Sequence, residues 1–311
     1  YEILKQKVNK YNGTNNLDLF EYLFNNHDKI IKGKVTDLEV FISDVEKIKI
    51  KNSIILRELD PQDNKFKPND VYKDIVESFN YSAYSKSDKP YMLLEDLGVN
   101  VCPYCNRQFV NTFISEDGKT RATLDHFYSK SEYPYLALSF YNLIPSCYSC
   151  NSSLKGRIPF TFNNNVNPYH SSFENIVCFT INYKKTGNSE KYIAEFYNHP
   201  NFMNIEFKNL VHKSRNDYKR VTRNIKTFKL QELYNLHKDM VIRIIQQDVI
   251  YDKAGYAKTI KNKYPKIFND EDEVLKTLVG HNNNHLDFNK SPFSRLLRDI
   301  SNELGLKNKL S

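Results

Sequence analysis

Four of the five cysteines fall into two pairs, Cys102-x-x-Cys105 and Cys147-x-x-Cys150, with 42 positions from Cys105 to Cys147. A CxxC turn lets two thiolates reach one ion, and two such turns complete a closed tetrahedral four-sulfur site, the arrangement of structural zinc. A redox dithiol or plain buried thiols are the alternatives; two pairs bracketing one hairpin-rich segment favour zinc. Cys178 lies inside the apolar run 176–181 and reads as a small buried hydrophobe.

Between the pairs stand Leu124-Asp125-His126-Phe127, then Phe140-Tyr141-Asn142-Leu143-Ile144-Pro145, and directly after the last cysteine Asn151. Phosphodiester hydrolysis needs a water made nucleophilic and a sink for charge at phosphorus and the leaving oxygen. An imidazole, with an ordinary pKa near ~6.5, suits the base. A carboxylate and an amide oxygen are hard donors suited to Mg²⁺ or Mn²⁺. On a regular strand Asp125 and His126 would point to opposite faces, so serving one centre requires a twist or a strand end. The plain reading is that Asp-His is a surface turn and that Asn142 and Asn151 are caps.

Taken together, CPYC…LDHFYSKSEYPYLALSFYNLIPSCYSCN closely resembles the HNH nucleases, which use the ββα-metal (His-Me finger) site. The resemblance spans Val101 to about Arg157. It implies His126 as general base, Asp125 and Asn151 as ligands of a catalytic Mg²⁺ or Mn²⁺, and Asn142 as the residue that orients His126 by tying down loop backbone. Asn151 stands where the family often has His. Some relatives add a further His one turn on; here that place is Lys155, which cannot ligate while charged. Lys155 and Arg157 would instead hold a flanking phosphate, or form a solvated helix end. The wider pattern, with Tyr133-Pro134, Asn167-Pro168-Tyr169 and Arg298-Asp299-Ile300, is similar to the HNH subunit of Septu-type bacterial anti-phage systems, which also occurs with some retrons. That likeness implies an ABC-type (SMC-like) ATPase partner that restrains the nuclease. No GxxxxGK[ST] occurs in this chain, so ATP handling would come from elsewhere. DNA is the expected substrate. RNA such as tRNA is the alternative with the same chemistry, and a non-catalytic zinc ribbon that binds nucleic acid is the alternative without it.

The elements that must position these residues give an α+β class, with an HNH core flanked by mainly helical regions. The expected divisions are a helical region over 1–98, a zinc-stapled nuclease core with a following hairpin over 99–200, and a helical region over 201–311. Leu19, Phe20, Leu23 and Phe24 mark one face of a helix over 18–31. Thr36-x-x-Glu39 reads as a capping box. Pro68 and Pro90 precede short helices, and Gly98 ends one. Asp117-Gly118 between alternating runs 107–114 and 120–127 predicts a hairpin. Asn151–Lys155 reads as a short helix stopped by Gly156. Strands are expected at 176–183 and 191–197. Asn-rich 163–165 and 282–284 read as loops.

From Glu206 to Lys229 there are eight Lys or Arg and two acids, so this segment carries +6 of a net +8. The periodicity predicts one helix with Phe207, Leu210, Tyr218, Val221 and Phe228 inward and Lys208, Arg215, Lys219, Arg223 and Lys226 outward. Such a stripe tracks a phosphate backbone without reading sequence, or is simply a solvated face. A second helix is expected over 230–245, and a last one from Ser291-Pro292 to Gly305.

The 311 residues are 40% hydrophobic and 26% charged, ordinary for a folded soluble protein, which excludes wholesale disorder and collagen. No run approaches the ~18 apolar residues of a membrane span. The first ten residues, polar and of mixed charge, do not read as a signal peptide, so a cytoplasmic location is expected.

Overall fold

The computed structural model describes residues 1–59, 66–183, 203–210, 214–250, 255–271, 273–274, 277 and 289–304. The chain divides into two compact units: one of residues 1–98, 112–151 and 156–172, the other of 99–111, 152–155 and 173–311. No described helix is long and apolar enough to cross a membrane.

Among the described residues, the first unit opens with helices α1 (Glu2–Lys10), α2 (Leu17–Lys32), α3 (Val35–Lys51), α4 (Asp70–Ser78), α5 (Tyr81–Lys86) and α6 (Lys89–Leu97). Helices α2 and α3 bury the apolar stripes of helical spacing that their sequences present: Leu19, Phe20, Leu23 and Ile30 on one, Leu38, Phe41 and Val45 on the other. Tyr11 stacks on Phe20 with centroids 4.5 Å apart. Gly98 ends α6 at φ +58°, a conformation glycine adopts without strain. The expected Thr36–Glu39 box does not form. The helix begins two residues earlier, with Lys34 at the cap position, and Asp37 accepts from the Lys34 backbone N–H at 2.8 Å. Glu39 is engaged instead by the hydroxyl of Tyr128.

Strands β1 (Arg57–Leu59) and β2 (Phe66–Pro68) pair antiparallel before α4. The hairpin at Asp117-Gly118 exists but is short: β3 (Phe113–Ile114) pairs with β4 (Lys119–Thr120), closed by Ser115 N–H to the Gly118 carbonyl at 2.9 Å. The second half of the expected hairpin goes elsewhere. Strand β5 (Thr123–His126) pairs with β6 (Leu143–Ser146), because both are buried along their length and need a covered partner. Turns of 3₁₀ helix at Pro134–Leu136 and Phe140–Asn142 connect them. After β6 comes a π-helical segment, Ser149–Lys155, ended by Gly156 at φ +50° with its N–H on the Asn151 carbonyl.

In the second unit β7 (Val177–Tyr183) pairs antiparallel with β8 (Met203–Asn209) in continuous register from Val177↔Asn209 to Tyr183↔Met203. The expected strand at 191–197 and the loop at 282–284 lie outside the described residues. Helices α7 (Arg215–Thr227), α8 (Leu230–Tyr234), α9 (Lys238–Ile250), α10 (Tyr256–Lys263) and α11 (Ser294–Glu303) follow. The single basic helix from 207 is corrected: Phe207 and Lys208 belong to β8, and Ser214 caps α7 by accepting from Asp217 N–H. The helix expected over 230–245 is two, separated by a 3₁₀ turn, and the last helix starts at Ser294 rather than at Ser291-Pro292. Phe179, Phe207, Tyr234 and Phe293 form an aromatic core. From α11, Asp299 and Glu303, four residues apart on one face, accept the Phe179 and Ile181 backbone N–H groups of β7. Cys178, expected to be buried, is half-exposed on that strand.

Candidate metal centre and active site

Each CxxC is shaped by its own backbone. At the first, Cys102 N–H donates to the Gln108 carbonyl at 3.0 Å, and Asn106 N–H returns to the Cys102 carbonyl at 2.8 Å. Closing that turn puts Asn106 at φ +48°, a left-handed conformation asparagine tolerates better than most residues. The Asn106 side-chain oxygen then accepts Arg295 N–H at the start of α11. At the second, Cys150 N–H points at the Cys147 sulfur at 3.4 Å, and Asn151 N–H at the Cys147 carbonyl at 3.0 Å.

The four sulfurs of Cys102, Cys105, Cys147 and Cys150 lie within 4.8 Å of one another, and all four residues are buried. Zn–S bonds of ~2.3 Å in a tetrahedron place sulfurs about 3.8 Å apart. Four buried thiols at this spacing, none in a disulfide, can hold a metal ion such as zinc. As thiolates without a cation they would carry a prohibitive buried charge.

His126 is the last residue of β5, paired with Leu143. Its Nε2 lies 3.0 Å from the carbonyl oxygen of Ala137. A carbonyl only accepts, so Nε2 carries the proton and the lone pair of the neutral ring is on Nδ1. The ring meets that of Tyr81 at 4.4 Å between centroids and 75° between planes. Tyr81 begins α5, where Asn80 caps the helix by accepting from Ala83 N–H. Its hydroxyl reaches the Leu124 carbonyl at 3.4 Å, and burial raises its phenol pKa. The Lys130 ammonium sits 4.8 Å from the same ring.

Asn142 is fully buried, and its amide binds backbone only: Oδ1 accepts Tyr128 N–H at 2.7 Å, while Nδ2 donates to the carbonyls of Tyr128 at 3.1 Å and Leu136 at 3.0 Å. Its own carbonyl accepts Phe127 N–H at 2.9 Å. One side chain thereby joins the segment leaving His126 to the 3₁₀ turn preceding Ala137. The chain just beyond that turn is anchored to α2, since Ser139 Oγ donates to the Ile30 carbonyl at 2.6 Å. Asn167 and Tyr169 bind the carbonyls of Tyr141 and Leu143.

Asp125, beside His126 and opposite Ile144, is buried, and Asn151 lies half-buried in the π-helical segment. Lys155 is only 4% exposed, so it is not a solvated helix end, whereas Arg157 is exposed. Lys208 stands exposed on β8; Arg215, Lys219 and Arg223 stand exposed on α7. Tyr81 and the Ala137 carbonyl carry no sequence signal as partners of His126. The first lies far from the motif along the chain, and the second is backbone.

No curated protein and no solved structure matches the chain. Residues 102–157, which hold both cysteine pairs, His126, Asn142 and Asn151, match the HNH endonuclease family.

Proposed function

We propose that the protein is a metal-dependent HNH endonuclease of the ββα-metal type that hydrolyses phosphodiester bonds in DNA. The observation that carries this reading is the pose of His126: at a strand end, inside the segment matching the HNH family, with Nε2–H on the Ala137 carbonyl, which sets the lone pair of the neutral ring on Nδ1. In that role Nδ1 takes a proton from the attacking water while the Nε2 bond keeps the ring in place. Asn142 acts through backbone, and Tyr81 limits rotation of the imidazole.

Asp125 and Asn151 supply one carboxylate and one amide oxygen, a hard donor pair that suits Mg²⁺ or Mn²⁺ and not a thiolate-seeking metal. Such an ion, when bound, supplies charge neutralisation at the cleaved phosphate and its 3′ leaving oxygen. Zinc in the four-cysteine cluster has no such part, because four protein ligands close its coordination.

The decisive experiment incubates wild type and His126→Ala with plasmid, single-stranded DNA and total tRNA, with and without Mg²⁺ or Mn²⁺. Cleavage of DNA by wild type only, and only with the ion, is expected. Cleavage confined to tRNA would move the substrate to RNA, and activity surviving in His126→Ala would remove the site assignment. We further infer a place in bacterial anti-phage defence beside an ABC-type ATPase, on the likeness at Tyr133-Pro134, Asn167-Pro168-Tyr169 and Arg298-Asp299-Ile300. Copurification with such an ATPase tests it, and a nuclease fully regulated by itself would count against it.

A further inference from the structure

The second unit contains a cleft of about 560 Å³ that the HNH segment does not reach. That is within the ~300–1,000 Å³ typical of ligand sites. Its floor includes Val177 and Phe207 from paired strands β7 and β8, and one wall is α7. The α7 residues lining it, Tyr218, Thr222, Ile225 and Lys226, recur at i, i+4, i+7 and i+8, one face of one helix; Lys229 follows at the α7–α8 junction.

On α7 the acid of the first turn, Asp217, is engaged by Ser214 and Arg220. Arg215, Lys219, Arg223, Lys226 and Lys229 are exposed and, among the described residues, none of them meets a carboxylate within ion-pair distance. Among the described residues, Glu232 is the one acid in the cleft lining. A face solvated for solubility alone would mix both signs. Lys219, Arg223 and Lys226 instead form an i, i+4, i+7 rail that ends at the cleft, where Tyr218, expected to face the core, is 37% exposed.

Resting on the nuclease reading above, we infer that this cleft is an accessory site for single-stranded nucleic acid. An unstacked base lies against Tyr218 in the cleft, and the flanking phosphates follow Lys219, Arg223, Lys226 and Lys229. An aromatic ring in a concavity, flanked by cations at helical spacing, meets both needs of a single strand: a face to stack on and charge along the backbone. A rigid duplex keeps its bases stacked and cannot enter. The site adds affinity and strand preference without taking part in hydrolysis.

The test uses the full chain carrying His126→Ala, so binding is read without cleavage, and a fluorescent twelve-nucleotide oligo-dT as probe. Lys226→Gln/Lys229→Gln should weaken binding about tenfold and flatten the slope of log Kd against log salt by roughly 1.4, two phosphates at ~0.7 each. Tyr218→Ala should weaken it about fivefold or more with the slope unchanged, and Tyr218→Phe should bind as the parent does. Oligo-dT binding unaffected by both Tyr218→Ala and the double lysine variant, or a duplex of equal length binding as tightly and responding to the same changes, would overturn the proposal. The same variants in the His126-containing chain separate the two readings: plasmid cleavage lost only with His126→Ala upholds the nuclease whatever the cleft does. Oligo-dT binding lost only with the cleft variants upholds the cleft even if no cleavage is found.

Discussion

The Nε2 of His126 and the carbonyl oxygen of Ala137 lie 3.0 Å apart, and this contact fixes which nitrogen of the ring can act as a base. His126→Ala should lower cleavage by at least ~10²-fold, the lower end of what a positioned general base contributes. Removing the buried imidazole leaves the Ala137 carbonyl without its donor, so the variant should keep the metal content of wild type while its stability falls by about 1–3 kcal/mol. Metal analysis and urea titration check both.

Tyr81 holds the same ring from a second direction, with 4.4 Å between centroids. Tyr81→Phe keeps the ring and gives up only a 3.4 Å contact to the Leu124 carbonyl, so it should retain nearly all activity. Tyr81→Ala leaves the imidazole a wider arc and should reduce kcat about tenfold while changing KM little. Equal losses in the two variants would mean that the hydroxyl, not the ring, carries the effect.

What the sequence could foretell here divides along physical lines. The CxxC pairs, the Asp125-His126 dipeptide and Asn151 are local signals, since each is a residue type at a short spacing that is readable before the chain folds. The α2 stripe and the Gly98 stop were readable because a helix face and a left-handed cap leave a strict pattern. The partner of β5 was not: alternation says that a strand has a buried face, but β4 and β6 satisfy it equally until the chain is folded. Phe207 and Lys208 show the converse. Their apolar-then-basic order continues the α7 periodicity in sequence, yet pairing with Phe179 and Cys178 in β7 outweighs it. Partners that are backbone, as for Asn142 and His126, leave no trace in composition.

Asn142 makes three side-chain bonds to buried backbone. Asn142→Ala leaves an N–H and two carbonyls to find other partners, at about 1–3 kcal/mol for each group that stays unsatisfied. A loss of roughly 2–4 kcal/mol in urea unfolding is expected, with a fall in activity alongside. Asn142→Asp should do no better: the carboxylate still accepts from Tyr128 N–H but faces two carbonyls that then lack a donor.

The four-cysteine cluster should bring one tightly bound zinc per chain through purification. Thiolate ligands compete with protons, so release should rise as pH falls below neutrality. Cys147→Ser should lose the metal and lower the melting temperature by well over ten degrees, given that structural zinc contributes ~10 kcal/mol or more in small folds. Mild oxidant should leave the zinc of wild type in place; a protein that instead exchanges dithiol for disulfide reversibly under those conditions would be a redox protein.

Asp74 on α4 links three groups of α1 and its C-terminus: Lys7 at 2.8 Å, Lys10, and the Tyr11 hydroxyl at 2.7 Å. Burial alone would push its carboxyl up; the hydrogen bonds from Lys10, Lys7 and Tyr11 outweigh that and hold it at about 2. The folded-state value is therefore below the ~3.9 of an unfolded chain, so the unfolded state binds more protons between the two values. The stabilisation is complete above about pH 4 and is lost as the pH falls toward 2, and for a side chain this well covered it amounts to ~2 kcal/mol. Asp74→Asn should accordingly be less stable than wild type by about that amount at pH 7, with the gap narrowing between pH 4 and pH 2. Urea unfolding at closely spaced pH values measures it. A gap that stays constant through this window would assign the effect of Asp74 to packing between α1 and α4 instead of to its charge.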